Sequence, residues 1–405
     1  MRTIRKVRLS EIAELITKGT TPTTLGYDFQ DNGVNFLKIE CFSENGDFIK
    51  EKVAHISEKC HERLKRSQLR AGDVLFSIAG AIGRVAIVTK KMLPANTNQA
   101  LAIIRIARDD IYLPYVKLIL KSPIVKTQFE RKKQGVAQLN ISLKDITELE
   151  IPLPDMDQQI ECAELFKKIS EIIDFRQQEL QKLDELVKSR FIELFSGTFE
   201  VVSAEDVCSD IVDCPHSTPK YDEKELIYPA IRTSEIQNGS ILWDSMKYVG
   251  VVEYEKRVKR LKPERGDVVY AREGTYGDCV ILPDEYEFCL GQRTMLFRPD
   301  YKICTSAYLH AALRSDAVKK QADESNAGST VPHVNVADAK KFYFPLPPLE
   351  LQQQFAAFVE QTDKSKFAVQ QALDKAQELF DSLMQKYFGC LLYTSPSPRD
   401  GLLSR

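Results

Sequence analysis

The sequence lacks the long apolar runs that cross membranes. Its 405 residues are 43% hydrophobic and 28% charged, and no run reaches the roughly 20 apolar residues that a bilayer-spanning helix needs. The N-terminal residues MRTIRK are not followed by the apolar stretch of a secretory signal. The nine cysteines are scattered along the chain, which is typical of reduced thiols. These absences predict a cytoplasmic protein without a membrane segment.

The sequence also lacks the short motifs of common enzymes. It has no Walker lysine motif, no Gly-x-Gly-x-x-Gly after a strand, no Gly-x-Ser-x-Gly, and no Asp/Asn-Pro-Pro-Tyr/Phe tetrapeptide of amino-methyltransferases. Cys208, Cys214 and His216 cluster, but no second Cys/His pair follows at zinc spacing. Asp73 and Asp267 recur after Gly72 and Gly266, where a turn that starts a strand explains them better than catalysis does. We therefore expect no catalytic residues and no metal site. A binding protein is favoured over an enzyme.

What the sequence does contain is an internal repeat. Residues 63–83 and 257–277 lie about 194 positions apart and share eight identities in twenty-one positions, including Gly-Asp-Val and two later glycines. Chance would give roughly one identity. The match extends to Ile-Pro-Leu-Pro at 151–154 and Phe-Pro-Leu-Pro at 344–347. Such a long period indicates a duplicated domain, and two copies of one recognition domain suit a bipartite target.

Each copy shows the pattern of an α+β domain, with short strands first and a helix after them. The predicted helices cover 113–131 and 307–321. The glycine-rich segments 79–83 and 272–277 lie between two predicted strands and lack the lysine of a phosphate-binding loop, so they predict tight hairpins. The predicted strands cover 34–39, 73–78, 84–89 and 100–106 in the first copy, and 228–232, 267–271, 279–282 and 294–298 in the second.

Two long stretches without Pro or Gly, 158–195 and 351–388, follow the two Pro-Leu-Pro segments. Their apolar residues recur at alternating spacings of three and four, which is typical of a coiled coil. The predicted stripe is Leu165, Ile169, Ile172, Leu180, Leu183, Val187 and Leu194 in the first stretch, and Phe355, Phe358, Thr362, Val369, Leu373, Ala376, Phe380, Leu383 and Tyr387 in the second. A helix of that length spans about 55 Å and needs a partner face. We expect the two helices to pack antiparallel about a pseudo-twofold axis, as a rigid spacer between the two domains. Ordinary bundle helices are the alternative.

These patterns divide the chain into five segments. Residues 390–405 match nothing after the first long helix and resemble translated adapter sequence, so they are interpreted as a non-native tail. The predicted segments are a first domain over 1–154, a central helix over 155–197, a second domain over 198–347, a C-terminal helix over 348–389, and the tail.

The net charge of −2 gives no sign of a nucleic-acid partner, but basic residues cluster locally in 115–135 and 255–265. Polar side chains near the hairpins and in the loops before each Pro-Leu-Pro can reach phosphates or base edges. Solvated surface and structural turns remain open as alternatives. The candidate DNA-binding residues are Thr20, Thr21, Lys38, Ser77, Arg84, Lys132, Lys133, Gln134, Gln138, Asn140, Ser217, Thr218, Arg232, Arg272, Thr275, Tyr276, Asn326, Ser329 and His333.

Taken together, residues 5–389 resemble the specificity subunits of type I restriction-modification systems. The resemblance lies in the duplicated Gly-Asp-Val strand with its glycine hairpin, the Ile-Pro-Leu-Pro and Phe-Pro-Leu-Pro segments, the Gln-rich helix entries and the paired long helices. It implies two target-recognition domains, each of which reads one half of a split DNA site. It also implies that the helices set the gap between the half-sites and dock two methylation subunits, with restriction subunits beyond them.

The resemblance further implies that the partner subunits use S-adenosylmethionine, ATP and magnesium to methylate adenine or cleave DNA, and that this chain binds none of these. Three alternatives remain open. The chain could serve a related system with one fused methyltransferase-nuclease partner. It could be a coiled-coil interaction protein without a DNA role, or an undetected hydrolase.

Overall fold

The described residues, 5–132, 141–222, 227–325 and 333–388 of a computed structural model, form two compact units. Unit 1 takes its residues from Met1–Arg176 and Ala372–Arg405, and unit 2 from Gln177–Gln371. Both units are mixed α/β. The division between them falls inside the two long helices, whereas the predicted segments keep each helix whole and apart from the domains. No helix in the described part of the chain is long and apolar enough to span a membrane.

The described residues of unit 1 form nine strands, and its helices include parts of both long helices, residues 156–176 and 372–388. The strands are β1 (Arg5–Arg8), β2 (Leu15–Lys18), β3 (Val34–Leu37), β4 (Ala54–Ile56), β5 (Val74–Ser77), β6 (Val85–Ile87), β7 (Ala95–Thr97), β8 (Leu101–Arg105) and β9 (Glu150–Leu153). The helices are α1 (Leu9–Ile12), α2 (Glu58–Arg63), α3 (Leu113–Leu120), α4 (Pro123–Lys132), α5 (Leu143–Thr147) and α6 (Met156–Phe195), of which only the first half belongs to unit 1.

The central sheet of unit 1 has four antiparallel strands in the order β2-β8-β5-β6. Its two faces both contact apolar side chains, since Val74 and Phe76 enter one core cluster and Leu75 enters another. Burial on both faces explains why β5 and β8 read as continuous apolar runs and not as alternating ones. A second sheet, in the order β4-β3-β7, and the antiparallel pair β1-β9 complete the unit.

Unit 2 repeats this layout. Its strands are β10 (Glu200–Ser203), β11 (Cys208–Asp213), β12 (Tyr228–Ile231), β13 (Ile236–Gln237), β14 (Ser240–Ile241), β15 (Lys247–Val249), β16 (Val268–Ala271), β17 (Cys279–Ile281), β18 (Cys289–Leu290), β19 (Thr294–Pro299) and β20 (Tyr343–Leu346). Its helices are α7 (Val251–Arg257), α8 (Ser306–Leu313), α9 (Asp316–Ser325), α10 (Val336–Lys340) and α11 (Leu349–Phe388), of which the first part belongs to this unit.

The sheets of unit 2 follow the same orders as those of unit 1. The orders β11-β19-β16-β17, β15-β12-β18 and β10-β20 correspond to β2-β8-β5-β6, β4-β3-β7 and β1-β9, and only the hairpin β13-β14 is extra. The register agrees as well, since Val74 pairs with Ile104 and Val268 pairs with Phe297. The predicted duplication is therefore a duplication of fold.

The strand predictions are confirmed, but each predicted domain helix is two helices. In unit 1 the chain breaks between α3 and α4 because Pro123 lacks an amide hydrogen and disfavours helical geometry in the residue before it. In unit 2 the break falls between α8 and α9, where the Ser315 hydroxyl accepts from the Val318 amide and starts a new helix.

The long helices α6 and α11 each have 40 residues, two more than predicted at each N-terminus. The predicted apolar stripe is wrong at two positions: Ile172 is 50% exposed and Tyr387 is 44% exposed. The buried positions nearby are Phe166, Met384 and Phe388, which join the core of unit 1. Inside unit 2, Phe191 packs on Phe355 and Asp184 pairs with Lys366, so the two segments run antiparallel there.

The repeated Gly-Asp-Val begins the central strand of each unit. Asp73 Oδ2 accepts from the Arg70 amide, which makes the predicted turn, and both Asp73 oxygens accept from Arg105 at 2.7 Å. In unit 2 the Asp267 carboxylate accepts in the same way from the Glu264 amide and from Arg298, all at 2.8 Å. Each carboxylate is 1% exposed. The ion pair and the hydrogen bonds offset the cost of removing each carboxylate from water.

Candidate nucleic-acid interface

A tight glycine hairpin closes the central sheet of each unit. It joins β5 to β6 in unit 1 and β16 to β17 in unit 2, as predicted. Gly80 and Gly274 have φ angles of 72° and 68°, in the left-handed region where glycine carries no steric penalty. The hairpin tips are exposed, with Gly80 and Ala81 in one and Gly274 and Thr275 in the other.

In unit 1 the predicted threonines lie in the segment that follows β2. The Thr20 amide donates to the Thr97 carbonyl at 3.1 Å. The Thr21 hydroxyl donates to Gln99 Oε1, so this segment is joined to the loop between β7 and β8. Lys38 follows β3, lies 4.8 Å from the centre of the Phe29 ring and pairs with Glu40 at 3.8 Å. All three side chains remain partly exposed.

Two residues predicted as DNA contacts of unit 1 form hydrogen bonds inside the unit. Ser77 is fully buried, and its hydroxyl donates to the Ala79 carbonyl at 2.9 Å. Arg84 donates to the carbonyls of Ile39 and Phe42, at 3.4 and 3.0 Å, and is partly exposed. Ser77 therefore shapes the hairpin, and its burial corrects the prediction that it contacts DNA. Arg84 holds the short turn after β3 and stays a predicted contact.

Three of the residues predicted for unit 2 lie at positions that correspond to those of the predicted residues in unit 1. Ser217 and Thr218 are exposed, and the Thr218 hydroxyl accepts from Gln292 Nε2 at 2.7 Å. Arg232 follows β12 as Lys38 follows β3, and its guanidinium lies 5.5 Å from the centre of the Tyr221 ring. A hydrogen bond from Arg232 to the buried Glu235 carboxylate raises the pKa of Arg232 and keeps the side chain charged.

Arg272 is the second prediction that burial corrects. It is 7% exposed and pairs with the equally buried Asp213 at 2.9 Å. A buried ion pair of this kind fixes the strand end to the hairpin and leaves no charge for a phosphate.

Thr275, Tyr276 and His333 surround the hairpin of unit 2. Thr275 donates to the Thr233 carbonyl at 2.9 Å, next to Arg232. The Tyr276 hydroxyl donates to Asp323 at 2.5 Å, and this hydrogen bond raises the pKa of Tyr276. His333 Nδ1 lies 3.1 Å from Glu273 Oε1. Because Glu273 also pairs with Arg293, the hairpin tip of unit 2 is strongly charged.

The remaining predicted residues lie at or beyond the limits of the described chain. Lys132 is the last residue of α4. Outside the described residues lie Lys133, Gln134, Gln138, Asn140, Asn326 and Ser329.

The basic clusters predicted from sequence are partly internal. Burial lowers the pKa of Lys117 and Lys121, and Lys121 donates to the Glu44 carbonyl at 3.1 Å. Arg257 is 5% exposed and donates to the carbonyls of Leu290 and Ser217. Clustered charge along the sequence therefore does not form one continuous basic face, because helices α3 and α7 turn several of these residues inward.

Sequence reasoning missed the glutamines Gln99 and Gln292 and the neighbouring Arg293. The signal was available, since each glutamine lies two residues before the last strand of the central sheet, in Asn-Gln-Ala and Gly-Gln-Arg. Arg293 has a φ angle of 64° and a side chain that is 62% exposed. Left-handed geometry at a non-glycine residue costs about 1 kcal/mol and is concentrated at functional sites.

The eight cysteines of the described chain are free. Among the described residues, no group of three or more His, Cys, Asp or Glu side chains is placed to hold a metal ion.

Residues 1–185 and 197–378 each match the type I restriction modification DNA specificity domain. The chain belongs to this family. Its two specificity domains give it a role in DNA sequence specificity, and they account for the repeat of about 194 residues in the sequence.

Curated relatives agree with this assignment. The type I restriction enzyme EcoBI specificity subunit of Escherichia coli is 28% identical over 178 residues, which cover 42% of this chain and 36% of that protein. The putative type I restriction enzyme MjaX specificity subunit of Methanocaldococcus jannaschii is 22% identical over 404 residues, which cover 92% and 91% of the two chains.

Solved structures share the fold along nearly the whole length. A chain from a study of assembly and conformational transition of the type I R-M system gives a TM-score of 0.59 at 18% identity and covers 97% of this chain and 99% of its own. The type I S subunit from M. genitalium gives 0.56 at 13% identity, with 96% and 97% covered. At these identities the likeness establishes the fold of the specificity domains alone.

Proposed function

We propose that this chain reads a bipartite DNA site, one half-site with each unit, and directs adenine methylation and DNA cleavage by partner subunits. The observation that carries the proposal is the duplicated specificity domain, in which one fold presents different exposed side chains at equivalent places. Lys38 and Arg232 follow equivalent strands, and both stack on an aromatic ring. The hairpin tips differ, because Ala79 in unit 1 corresponds to the charged Glu273 in unit 2. Two related readers of different sequences would show this pattern.

The predicted residues that remain partly exposed are the proposed DNA contacts. Threonine and serine hydroxyls reach phosphates and bases, and lysine and arginine neutralise phosphates. The residues are Thr20, Thr21, Lys38 and Arg84 in unit 1, and Ser217, Thr218, Arg232, Thr275, Tyr276 and His333 in unit 2. The chain contributes recognition and no catalytic group to the complex.

The long helices α6 and α11 are proposed to form an antiparallel coiled-coil spacer. The antiparallel order of Asp184–Lys366 and Phe191–Phe355 within unit 2 supports this arrangement. Forty helical residues span about 60 Å, and a rigid spacer of this kind fixes the separation of two half-sites along the duplex. The pseudo-twofold relation of the domains belongs to the same proposal.

The exposed apolar side chains of these helices are proposed to dock two methylation subunits, with restriction subunits beyond them. Large exposed apolar residues mark protein interfaces when they cluster on one element. Those on the two helices are Ile160, Ile172, Phe175, Leu186, Ile192, Phe367, Leu379 and Tyr387, which are 37–66% exposed. S-adenosylmethionine, ATP and magnesium are then ligands of the partners, and this chain binds none of them. Family membership does not favour a coiled-coil protein without a DNA role.

The proposal is tested by DNA binding of the assembled complex. The chain is co-purified with its methylation subunit, and its affinity for a pool of genomic duplexes is measured by fluorescence anisotropy between 50 and 200 mM salt. We expect the logarithm of affinity to fall linearly with the logarithm of salt, at an affinity well above that of the methylation subunit alone. Equal binding with and without this chain would contradict the proposal.

A further inference from the structure

A threonine–glutamine pair recurs in the two units. In unit 1 the Thr21 hydroxyl donates to Gln99 Oε1. In unit 2 the Thr218 hydroxyl accepts from Gln292 Nε2 at 2.7 Å. Each threonine directly precedes a proline, and each glutamine lies two residues before the last strand of the central sheet, β8 or β19. The pair therefore joins the same two segments in both copies.

Close backbone packing fixes these segments. A Cβ atom on Gly19 would lie 1.9 Å from the Thr97 carbonyl oxygen, and one on Gly291 would lie 2.6 Å from the Ile231 carbonyl oxygen. No side chain fits at such distances, so both positions need glycine for close approach. The Gly291 amide donates to the Ile231 carbonyl at 2.7 Å. Each glutamine thus stands on a rigid base, which suits a preorganised contact.

Neither pair serves the hydrophobic core. Gln99 is exposed and Gln292 is partly exposed, and their hydrogen bonds to threonine lie at the surface. A solvent-exposed hydrogen bond adds little to stability because water offers the same bond. Its recurrence in two copies that differ at most surface positions therefore calls for a reason other than stability.

The amide chemistry supplies that reason. A glutamine amide has an oxygen that accepts and a nitrogen that donates, and glutamine pairs with adenine in the major groove through both kinds of bond. When threonine holds one amide atom, the other keeps a fixed direction toward solvent. The hydroxyl can rotate to suit either orientation of the amide. Each pair is thus a positioned amide on an exposed, rigid segment.

The surroundings of the two glutamines differ in charge. Arg293, next to Gln292, pairs with Glu273 at 2.9 Å, and Glu273 also contacts His333. The residue after Gln99 is Ala100, and the corresponding hairpin residue is Ala79. The same amide therefore sits beside an arginine and a carboxylate in unit 2 and beside small apolar groups in unit 1.

We propose that Gln99 and Gln292 are specificity-determining residues that contact base edges, one in each half-site. Thr21 and Thr218 are positioning residues that orient the two amides. This inference rests on the proposed function, because it assigns residues within the same DNA-reading units. It concerns double-stranded DNA in the assembled complex.

The test uses the full chain with its methylation subunit and duplexes that carry the methylated motif of the wild-type complex, with each base pair substituted in turn. Q99M removes the amide at nearly constant volume. We expect discrimination at one or two base pairs of a single half-site to fall about tenfold, the low end for a base contact, while the other half-site is read as before. Q292M is expected to do the same in the other half-site.

Matched variants separate the outcomes. T21V and T218V are expected to relax discrimination at the same base pairs as the glutamine variants. If a glutamine variant lowers the melting temperature, the threonine variants decide the test. Q30M and Q237M, at exposed glutamines elsewhere in the two units, are expected to read both half-sites normally. Unchanged base-pair discrimination in the glutamine variants, or an equal loss of affinity for every duplex, would overturn the inference while the proposed function stands. A wild-type complex with no split motif would overturn both.

Discussion

At the residue scale, the duplicated aspartates are the strongest structural feature that the repeat contains. Asp73 and Asp267 each combine a turn hydrogen bond with two hydrogen bonds to an arginine on the neighbouring strand. Removal of one partner leaves a buried guanidinium without its charge partner. The repeat therefore preserves an ion pair that holds the central sheet together, independently of DNA.

We expect D73A to destabilise unit 1 by about 3 kcal/mol, because breaking a buried ion pair costs about 3–5 kcal/mol and Arg105 keeps some access to water. Urea denaturation of the full chain measures the change. The matched control is D110A, which removes an equally close pair with Arg108, in which both side chains are largely exposed. The control is expected to show no measurable change. Equal effects of the two variants would contradict this assignment.

His310 links the stability of unit 2 to pH. Its Nε2 donates to the Cys279 carbonyl at 2.9 Å, and removal of the ring from water lowers its pKa from 6.5 to about 3. Arg314 lowers this pKa further. As pH falls below 6.5, His310 binds a proton in the unfolded chain before it does so in the folded chain. The contribution of neutral His310 to the free energy of unfolding is therefore complete above pH 6.5 and is lost progressively toward pH 3.

We expect H310Q to remove this dependence. Between pH 6.5 and 5.5 the wild-type chain should lose up to about 1.4 kcal/mol more than H310Q, since one pKa unit corresponds to that free energy. Thermal melting at several pH values provides the measurement. H216Q changes an exposed histidine and should keep the wild-type slope. If stability falls with pH equally in H310Q and the wild type, His310 does not titrate in this way.

Residue roles were the hardest part to predict from the sequence. Asp73 was correctly assigned to a turn, because Gly-Asp is a local signal. Its partner Arg105 was not found, since their contact depends on the pairing of β5 with β8, 32 residues apart. Ser77 and Arg272 were predicted as DNA contacts because they flank the hairpins. Both are buried, and this burial depends on tertiary packing, which single-sequence patterns do not specify.

At the element scale, the strands and long helices were readable because their patterns are local. Continuous apolar runs predicted the strands β5 and β16, and the absence of Pro and Gly predicted α6 and α11. The stripe was misplaced at Ile172, because a 3–4 spacing can be drawn through either of two neighbouring apolar residues. Within unit 1, Phe166 packs on Phe380 of α11, and both Phe166 and Ile169 are buried.

The aromatic cluster where α6 and α11 meet in unit 2 gives an element-scale prediction. Phe355 is fully buried and packs on Phe191 and Phe195. We expect F355A to destabilise unit 2 by about 3–5 kcal/mol, the usual cost of a buried phenylalanine. Chemical denaturation followed by circular dichroism checks this. F367A, on the same helix but at a position that is 66% exposed, should leave stability unchanged. A similar loss for both variants would contradict the packing described.

At the scale of the whole molecule, the duplication carries the functional argument. One specificity domain could read only one contiguous sequence, whereas two copies on one chain can read two half-sites at a fixed separation. The sequence repeat predicted this organisation, and the matching sheet orders of the two units confirm that the copies share one fold. The bases that each unit reads depend on a few exposed side chains, which no local pattern identifies.

The most direct test of the central claim is the methylome of cells that express the neighbouring methyltransferase with this chain, compared with cells that lack only this chain. The account predicts an adenine-methylated motif in two parts, separated by a gap of fixed length, that disappears when the chain is absent. Unchanged methylation in the two strains, with the methyltransferase present and folded in both, would contradict it.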